Sequence, residues 1–241
     1  AEQMKAYSIE ADTLFGVLPR FALDVRGGRS NLVNDILAPD KMSLRAFAVS
    51  ADKDSTVALD GYVRGFDTGS MRLDSIYINA GQHDDHLHLT AGVLNRPGNL
   101  DTWHAATVKA RLDGNEAALR LSQSDIKGRT GYDLGIAATA DAADSTFTFH
   151  IRPVDPIIAY QNWTANDDNF ISYTIPTQHI DANLRMSGAG SSLAIFTEHP
   201  EDHDSHADDS QEDLVIRLSD IHISDWISMN PFAPPMKGDV T

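Results

Sequence analysis

The sequence predicts an all-β protein built as a long antiparallel meander. Three observations lead to this prediction: apolar and polar residues alternate along many segments, the links between those segments are short, and helix signals are confined to two places. The chain has 241 residues, of which 41% are hydrophobic and 22% are charged. This composition is ordinary for a globular protein, and the length suits one large β domain or two small ones.

The clearest strands alternate with a period of two, which is typical of antiparallel strands with one buried face. They lie in the segments ATVKARLDG (106–114), AALRLSQ (117–123), STFTFHIR (145–152), HIDANLRMS (179–187) and EDLVIRLSD (212–220). Weaker alternation predicts further strands near residues 42–49, 56–64, 71–79, 87–94, 133–140, 170–175 and 191–197.

Short, turn-rich links join these strands, and we interpret neighbouring strands as hairpins. Examples are the segments ADKDS, AGQHDD, LDGNE, ADAADS and SGAGSS. The two helix signals are brief. Ser30 is a candidate N-cap for a helix near 31–38, and Asp225 is a candidate cap for one near 225–229.

A meander with one apolar face cannot remain flat in water. It must pack on a second sheet, close into a barrel, or curl so that the apolar face lines a groove. Periodicity does not choose among these three arrangements.

The composition of the chain excludes several classes of partner and site. The net charge is −16, and no basic stripe is present, so we expect no nucleic-acid partner. The chain has no cysteine, which excludes disulfides and thiolate metal sites. No apolar run is long enough for a transmembrane helix. The first residue is Ala1 and the last segment resembles the start of a strand, so we expect a piece of a longer protein.

The chemical motifs of common enzymes are not found. The sequence has no G-x-S-x-G, no H-E-x-x-H, no P-loop and no dinucleotide fingerprint, so we expect neither catalysis nor a cofactor. Two histidine clusters are weak metal candidates. One comprises His199, His203 and His206, and the other His86 and His88. The charge around the first cluster favours a solvated loop (199–213), and the second fits the exposed face of a strand.

Three segments resemble the TamB (translocation and assembly module) family of the AsmA-like superfamily. The segment LSDIHISDWISMNPFAPPMKGDV (218–240) has a short amphipathic turn, a proline kink and a lysine-glycine-acid step. The segment 162–198 has a tryptophan before an Asn-rich turn, then NFI and IDANL, and VLPRFALDVRGGRSNLVNDIL (17–37) is a softer match.

This resemblance implies a fold and a function. The fold is a meander curled into an open apolar groove (a β-taco), and residues 1–241 would be a single segment of a much longer envelope protein. The function is conduction of phospholipid between the inner and outer membranes, in support of outer-membrane biogenesis and protein assembly. The groove would bind phospholipid acyl chains and lie in the periplasm, in a parent chain anchored in the inner membrane. That chain would contact an outer-membrane assembly barrel.

The cleanest strands supply the candidate lining of such a groove. The lining residues are Val108, Leu112, Leu119, Leu121, Phe147, Phe149, Ile180, Leu184, Leu214, Ile216 and Leu218. The same residues would form an ordinary core in the main alternative, a β-sandwich binding module that recognises a glycan or a protein through its loops. A metal-assisted enzyme on a β scaffold is a third alternative. Exposed edge strands would also allow copies of this segment to associate.

Overall fold

The computed structural model describes residues 19–54, 56–69, 72–83, 86–95, 105–125, 127–198, 213–222 and 239–240. Within these ranges, fifteen antiparallel strands belong to one hydrogen-bonded sheet, and one short α-helix is present. The predicted all-β meander is therefore confirmed. The chain divides into two compact units. The N-terminal unit is Ser8–Asp133, and the C-terminal unit is Leu134–Thr241 with Ala1–Tyr7.

The N-terminal unit is a meander in which each strand pairs with the next one in sequence. Its strands are β1 (Phe21–Gly27), β2 (Ala46–Lys53), β3 (Val57–Asp67), β4 (Arg72–His83), β5 (His86–Leu94), β6 (Ala105–Asp113), β7 (Glu116–Ser124) and the start of β8 (Thr130–Asp141). All the predicted strands of this region are present, and β1 is a further strand that was not predicted.

The helix α1 (Leu32–Leu37) confirms the helix expected near 31–38, but its N-cap is Asn31 and not Ser30. Asn31 is extended, with φ −149° and ψ 156°, and its side-chain oxygen accepts a hydrogen bond from Asn34 N at 3.0 Å. Asn31 therefore satisfies an N–H group that the first helical turn leaves unpaired. The helix expected near 225–229 lies outside the described residues.

Asn34 fastens this helix to the sheet. Its side chain donates to Leu44 O at 2.9 Å and accepts from Leu44 N at 2.8 Å. Leu44 is 7% exposed, and it is the one apolar side chain that is buried among the described residues of the N-terminal unit.

The C-terminal unit continues the meander from residue 134 of β8. Its strands are β9 (Thr146–Ile151), β10 (Ile157–Ile158), β11 (Gln161–Ala165), β12 (Ile171–Thr174), β13 (His179–Gly188), β14 (Ser191–Glu198) and β15 (Asp213–Ser219). The strands β16 (Ile221–His222) and β17 (Asp239–Val240) form a separate two-stranded sheet. Strands β9 and β12–β15 confirm strands predicted from the sequence, whereas β10 and β11 were not predicted.

Two strands of this unit are interrupted at the same level. Both β9 and β10 pair with β8, while both β11 and β12 pair with β13. The pairs β9–β12 and β10–β11 therefore form one long hairpin with a break in each strand. Asn169 fills the break: its side chain accepts from Ile151 N at 2.6 Å and donates to Asn166 O at 2.7 Å.

The buried apolar core that the structure describes lies mainly in the C-terminal unit. Its side chains are Ile158, Trp163, Ala165, Ala182, Leu184 and Met186. Trp163 faces Gly188 across the β11–β13 pair, and the register places Ala165 beside Met186. None of the helices in the described ranges is long or apolar enough to cross a lipid bilayer.

Candidate apolar binding face

Strand register collects the apolar side chains of the N-terminal unit on one face of its sheet. Side chains on a strand alternate between faces, so directly paired residues in successive strands form rows across the sheet. One row comprises Val25, Val49, Gly61, Ile78, Ala91, Val108 and Leu121. The next comprises Leu23, Ala51, Leu59, Ala80, Leu89, Ala110 and Leu119. We call this surface the apolar face.

The opposite side of the same sheet is polar, and we call it the polar face. The row that alternates with the two apolar rows comprises Asp24, Ser50, Asp60, Asn79, Thr90, Lys109 and Arg120. Arg120 donates two hydrogen bonds to Asp133, at 2.7 and 2.6 Å. These hydrogen bonds, more than the charge of Arg120, hold the pKa of Asp133 below its ordinary value.

The apolar face is not buried. Leu23 is 50% exposed, Val25 42% and Leu119 49%, and Ile78 in the middle of the sheet is 38% exposed. A closed β-sandwich would cover such side chains with a second layer. In the part of the chain that the structure describes, none of the residues in these two rows is buried as the core of a sandwich would be.

A cavity of about 660 Å³ lies on the apolar face. Its aliphatic lining spans the strands from β2 to β7 and includes Val49, Val63, Ile76, Val93 and Val108. None of the residues that line it carries a charged side chain. Gly61 leaves room at the centre, because a Cβ atom there would lie 3.0 Å from Ile78 Cγ2. The cavity can therefore accept an apolar group without desolvating a charge.

The C-terminal unit also gathers apolar residues on one face. Its rows join Phe149, Ile171 and Ala182, then Leu184, Ile195 and Ile216, then Met186, Leu193 and Leu218. A smaller cavity of about 210 Å³ lies beside the interrupted hairpin, and Phe149, Phe170 and Leu184 contribute to its lining.

All the predicted lining residues occupy these two faces. Val108, Leu112, Leu119 and Leu121 lie on the apolar face of the N-terminal unit. The remaining seven share one face of the C-terminal unit; they are Phe147, Phe149, Ile180, Leu184, Leu214, Ile216 and Leu218. Ile216 is 61% exposed, whereas Leu184 is buried at 5% and belongs to the core. Of the eleven, Val108 and Leu121 line the larger cavity.

Most of that lining comes from residues of β2–β5 that were not among the predicted lining residues, such as Val49, Gly61, Ile78 and Ala91. Their strands were predicted, and the same alternation runs through them. Alanine and glycine at apolar-face positions weaken the pattern, although these small residues make room for the cavity.

The histidine candidates are not assembled into a metal site in the part of the chain that the structure describes. His86 faces His83 across the β4–β5 hairpin, with ring centroids 5.7 Å apart. His88 Nε2 lies 3.1 Å from Asn79 Oδ1. No group of three or more metal-ligating side chains occurs among the described residues. His199, His203 and His206 lie outside the described residues.

Comparisons with known proteins give no relative for this chain. No protein-family model, no curated protein and no solved structure matches it. The resemblance to the TamB family therefore stays a prediction.

Proposed function

We propose that the apolar face binds the acyl chains of phospholipid, and that this chain is a section of an apolar groove that conducts phospholipid between membranes. The observation that carries the proposal is a set of aliphatic rows, seven strands wide, whose side chains are exposed or half-buried and lie around a cavity without charged residues. Apolar surface of this extent on one face of a sheet is typical of an interaction site. The proposed role is transfer and needs no catalytic residue.

Energetics favour a weak and mobile complex. Each methylene removed from water contributes about 0.8 kcal/mol, so a long tail can gain on the order of 10 kcal/mol if fully buried. An open face removes only part of the tail from water, which lowers this gain. A lining without charged side chains also holds no single position of the tail tightly, and lipid can therefore leave as well as enter.

The acidic character of the chain favours tails over headgroups as the point of contact. Its net charge of −16 repels anionic headgroups, so attraction must come from the apolar part of the lipid. We place this activity in the periplasm of a Gram-negative envelope, in a parent chain anchored in the inner membrane. An outer-membrane assembly barrel is the proposed protein partner of that parent chain.

The first experiment looks for co-purified lipid. The protein is purified without detergent and examined by native mass spectrometry and by organic extraction. The proposal expects phospholipid near one molecule per chain, together with binding of a fluorescent hydrophobic probe to the folded protein. A folded protein that carries no lipid and ignores the probe would rule the proposal out.

Two neighbouring residues of β5 provide a matched pair of variants. Ala91 lines the cavity, whereas Thr90 lies on the polar face, next to Lys109. Ala91→Asp places a carboxylate in the cavity and should abolish lipid and probe binding. Thr90→Asp adds the same charge one residue away and should leave both unchanged. Equal losses in the two folded variants would show that net charge, and not the apolar face, governs binding.

The polar face favours one alternative function, recognition of a glycan. A cavity of about 450 Å³ there is lined by Asp24, Arg26, Asp60, Tyr62 and Asn79, with Ala48 and Ser50 among them. An exposed aromatic ring beside carboxylates and a guanidinium can stack on a sugar and bind its hydroxyl groups. If Tyr62→Ala removed binding to a glycan panel while the lipid experiment failed, this alternative would replace the lipid proposal.

A further inference from the structure

Strand β1 is the first strand in the order of the sheet that the described residues form. Within the described residues, β2 is the strand that pairs with β1, and six of the seven β1 residues are exposed. Proteins usually protect such edges with proline, bulges or charges that point inward. Strand β1 has no proline, and its apolar side carries Phe21, Leu23 and Val25. It can therefore accept another strand.

The charges of β1 are arranged so that the strand complements itself. Asp24 and Arg26 lie on the polar face and form a two-point ion pair, with N–O distances of 2.9 and 2.8 Å. Both side chains are largely exposed, at 53% for Asp24 and 75% for Arg26. Two residues of opposite charge that flank one apolar residue will face their opposites when the strand pairs antiparallel with a copy of itself about that residue.

A two-fold axis normal to the sheet produces this pairing. It keeps both apolar faces on one side, because rotation about the normal does not turn the sheet over. With Val25 opposite Val25 of the second copy, each Asp24 faces an Arg26. If each strand shifts by one residue along its own length, so that the pairing centres on residue 24, Asp24 lies opposite Asp24, and like charges in direct opposition destabilise a strand pair.

We propose that β1 is a homodimer interface, at which two copies pair antiparallel about Val25 and join their apolar faces into one wider sheet. The inference goes beyond the proposed function, since it needs no lipid and is tested without any. Because the interface is short, we expect a dimer whose formation depends on protein concentration and weakens as salt screens the exposed charges.

Charge exchange tests the interface in the whole 241-residue chain. Asp24→Arg places two arginines opposite each other on both sides of Val25, and Arg26→Asp does the same with carboxylates. Each single variant should raise the dimer dissociation constant at least about tenfold, as measured by sedimentation equilibrium. The double variant D24R/R26D restores opposite charges and should dimerise like the parent. Circular dichroism confirms that each variant is folded.

Cysteine cross-linking tests the register, since the natural chain has no cysteine. A disulfide requires Cα atoms within about 7 Å, which the proposed register provides at residue 25. Val25→Cys should form a covalent dimer under mild oxidation, whereas Leu23→Cys, which faces Gly27 of the second copy, should not. Cross-linking through Ile216→Cys on β15 in place of Val25→Cys would overturn the proposal. So would a monomer at every concentration, or a dimer that ignores both single charge variants.

Discussion

At the scale of single residues, Asn169 substitutes for a missing stretch of strand. Its side chain is fully buried and bonds to the backbone of Ile151 and Asn166, while its own carbonyl oxygen lies 2.5 Å from His150 Nδ1. Backbone groups in an interrupted strand lose their ladder partners, and unsatisfied buried groups are costly. An asparagine suits this position because its amide both donates and accepts.

Replacing Asn169 therefore has a large expected effect. Asn169→Ala leaves Ile151 N without its acceptor and should lower the free energy of unfolding by about 1–3 kcal/mol. Urea unfolding measures the loss. The control is Asn162→Ala, at an exposed position on β11, which should change stability little. Equal losses at the two positions would contradict the role assigned to Asn169.

The stability of the folded state depends on pH through the carboxylate of Asp125. The residue is 4% exposed and its carboxylate accepts hydrogen bonds from Lys127 N, Arg129 N and the Arg129 guanidinium. Burial alone would raise its pKa, but the hydrogen bonds outweigh burial, and the pKa of Asp125 lies below its ordinary value. A depressed pKa stabilises the folded state above the unfolded pKa of about 3.9, and this stabilisation is lost as pH falls through the folded value.

Asp125→Asn should therefore lower the free energy of unfolding near neutral pH. The difference in this free energy between the variant and the parent should shrink as pH falls below about 4. Urea unfolding across a pH series measures it. Ser124→Ala is the control, because it removes no ionisable group and its effect should not vary with pH. A constant difference for Asp125→Asn down to the acid limit of folding would refute the assigned linkage.

At the scale of elements, β11 and β13 approach each other through Gly188. A Cβ atom at this glycine would lie 2.6 Å from Trp163 Cγ and 2.7 Å from Asn162 O. The second of these atoms is backbone and cannot move without disturbing the β11–β13 pair. Gly188 therefore allows the buried Trp163 ring to lie against the neighbouring strand.

Gly188→Ala should destabilise the protein by about 1–3 kcal/mol, the usual range for an overpacked core. Thermal unfolding measures the change. Gly28→Ala serves as the control, since no atom outside its immediate chain neighbours lies within 4 Å of a Cβ built there. Similar shifts for both variants would point to a general cost of losing glycine, unrelated to the contact with Trp163.

The elements also show which local structure the sequence can predict. Strands such as β6 and β13 were predicted because each has one exposed face, so that alternation is visible in the residues themselves. Strand β11 was missed because it has only five residues, and its pairing with β10 and β13 arises from the break in the long hairpin, which local alternation does not reveal. The cap of α1 was misplaced by one residue, since Ser30 and Asn31 are equally good caps and tertiary context selects between them.

At the scale of the whole chain, the sequence predicted that apolar residues share one face of the sheet, but it did not predict where on that face the larger cavity lies. The predicted lining residues do alternate onto single faces within each unit. The position of the larger cavity depends on Gly61 and on the register of six strands, which bring together residues as distant in sequence as Val49 and Leu121. Period-two alternation excludes register shifts of one residue but leaves shifts of two residues open, so the cavity could not be placed from sequence.

The two units also differ in how their apolar residues are buried, and this difference predicts where a bound lipid acts. Among the described residues, the N-terminal unit has Leu44 as its buried apolar side chain, whereas the C-terminal unit has a core around Trp163, Leu184 and Met186. A ligand stabilises the part of a protein that binds it. Phospholipid bound to the apolar face should therefore slow hydrogen exchange in β2–β7 and leave exchange in β13 and β14 unchanged.

Mass spectrometry of peptides from the protein, with and without dispersed phospholipid, measures the rate of hydrogen exchange in each strand. Protection confined to β13 and β14 would move the binding site to the C-terminal unit, and uniform protection would indicate a general effect of the lipid on the folded state.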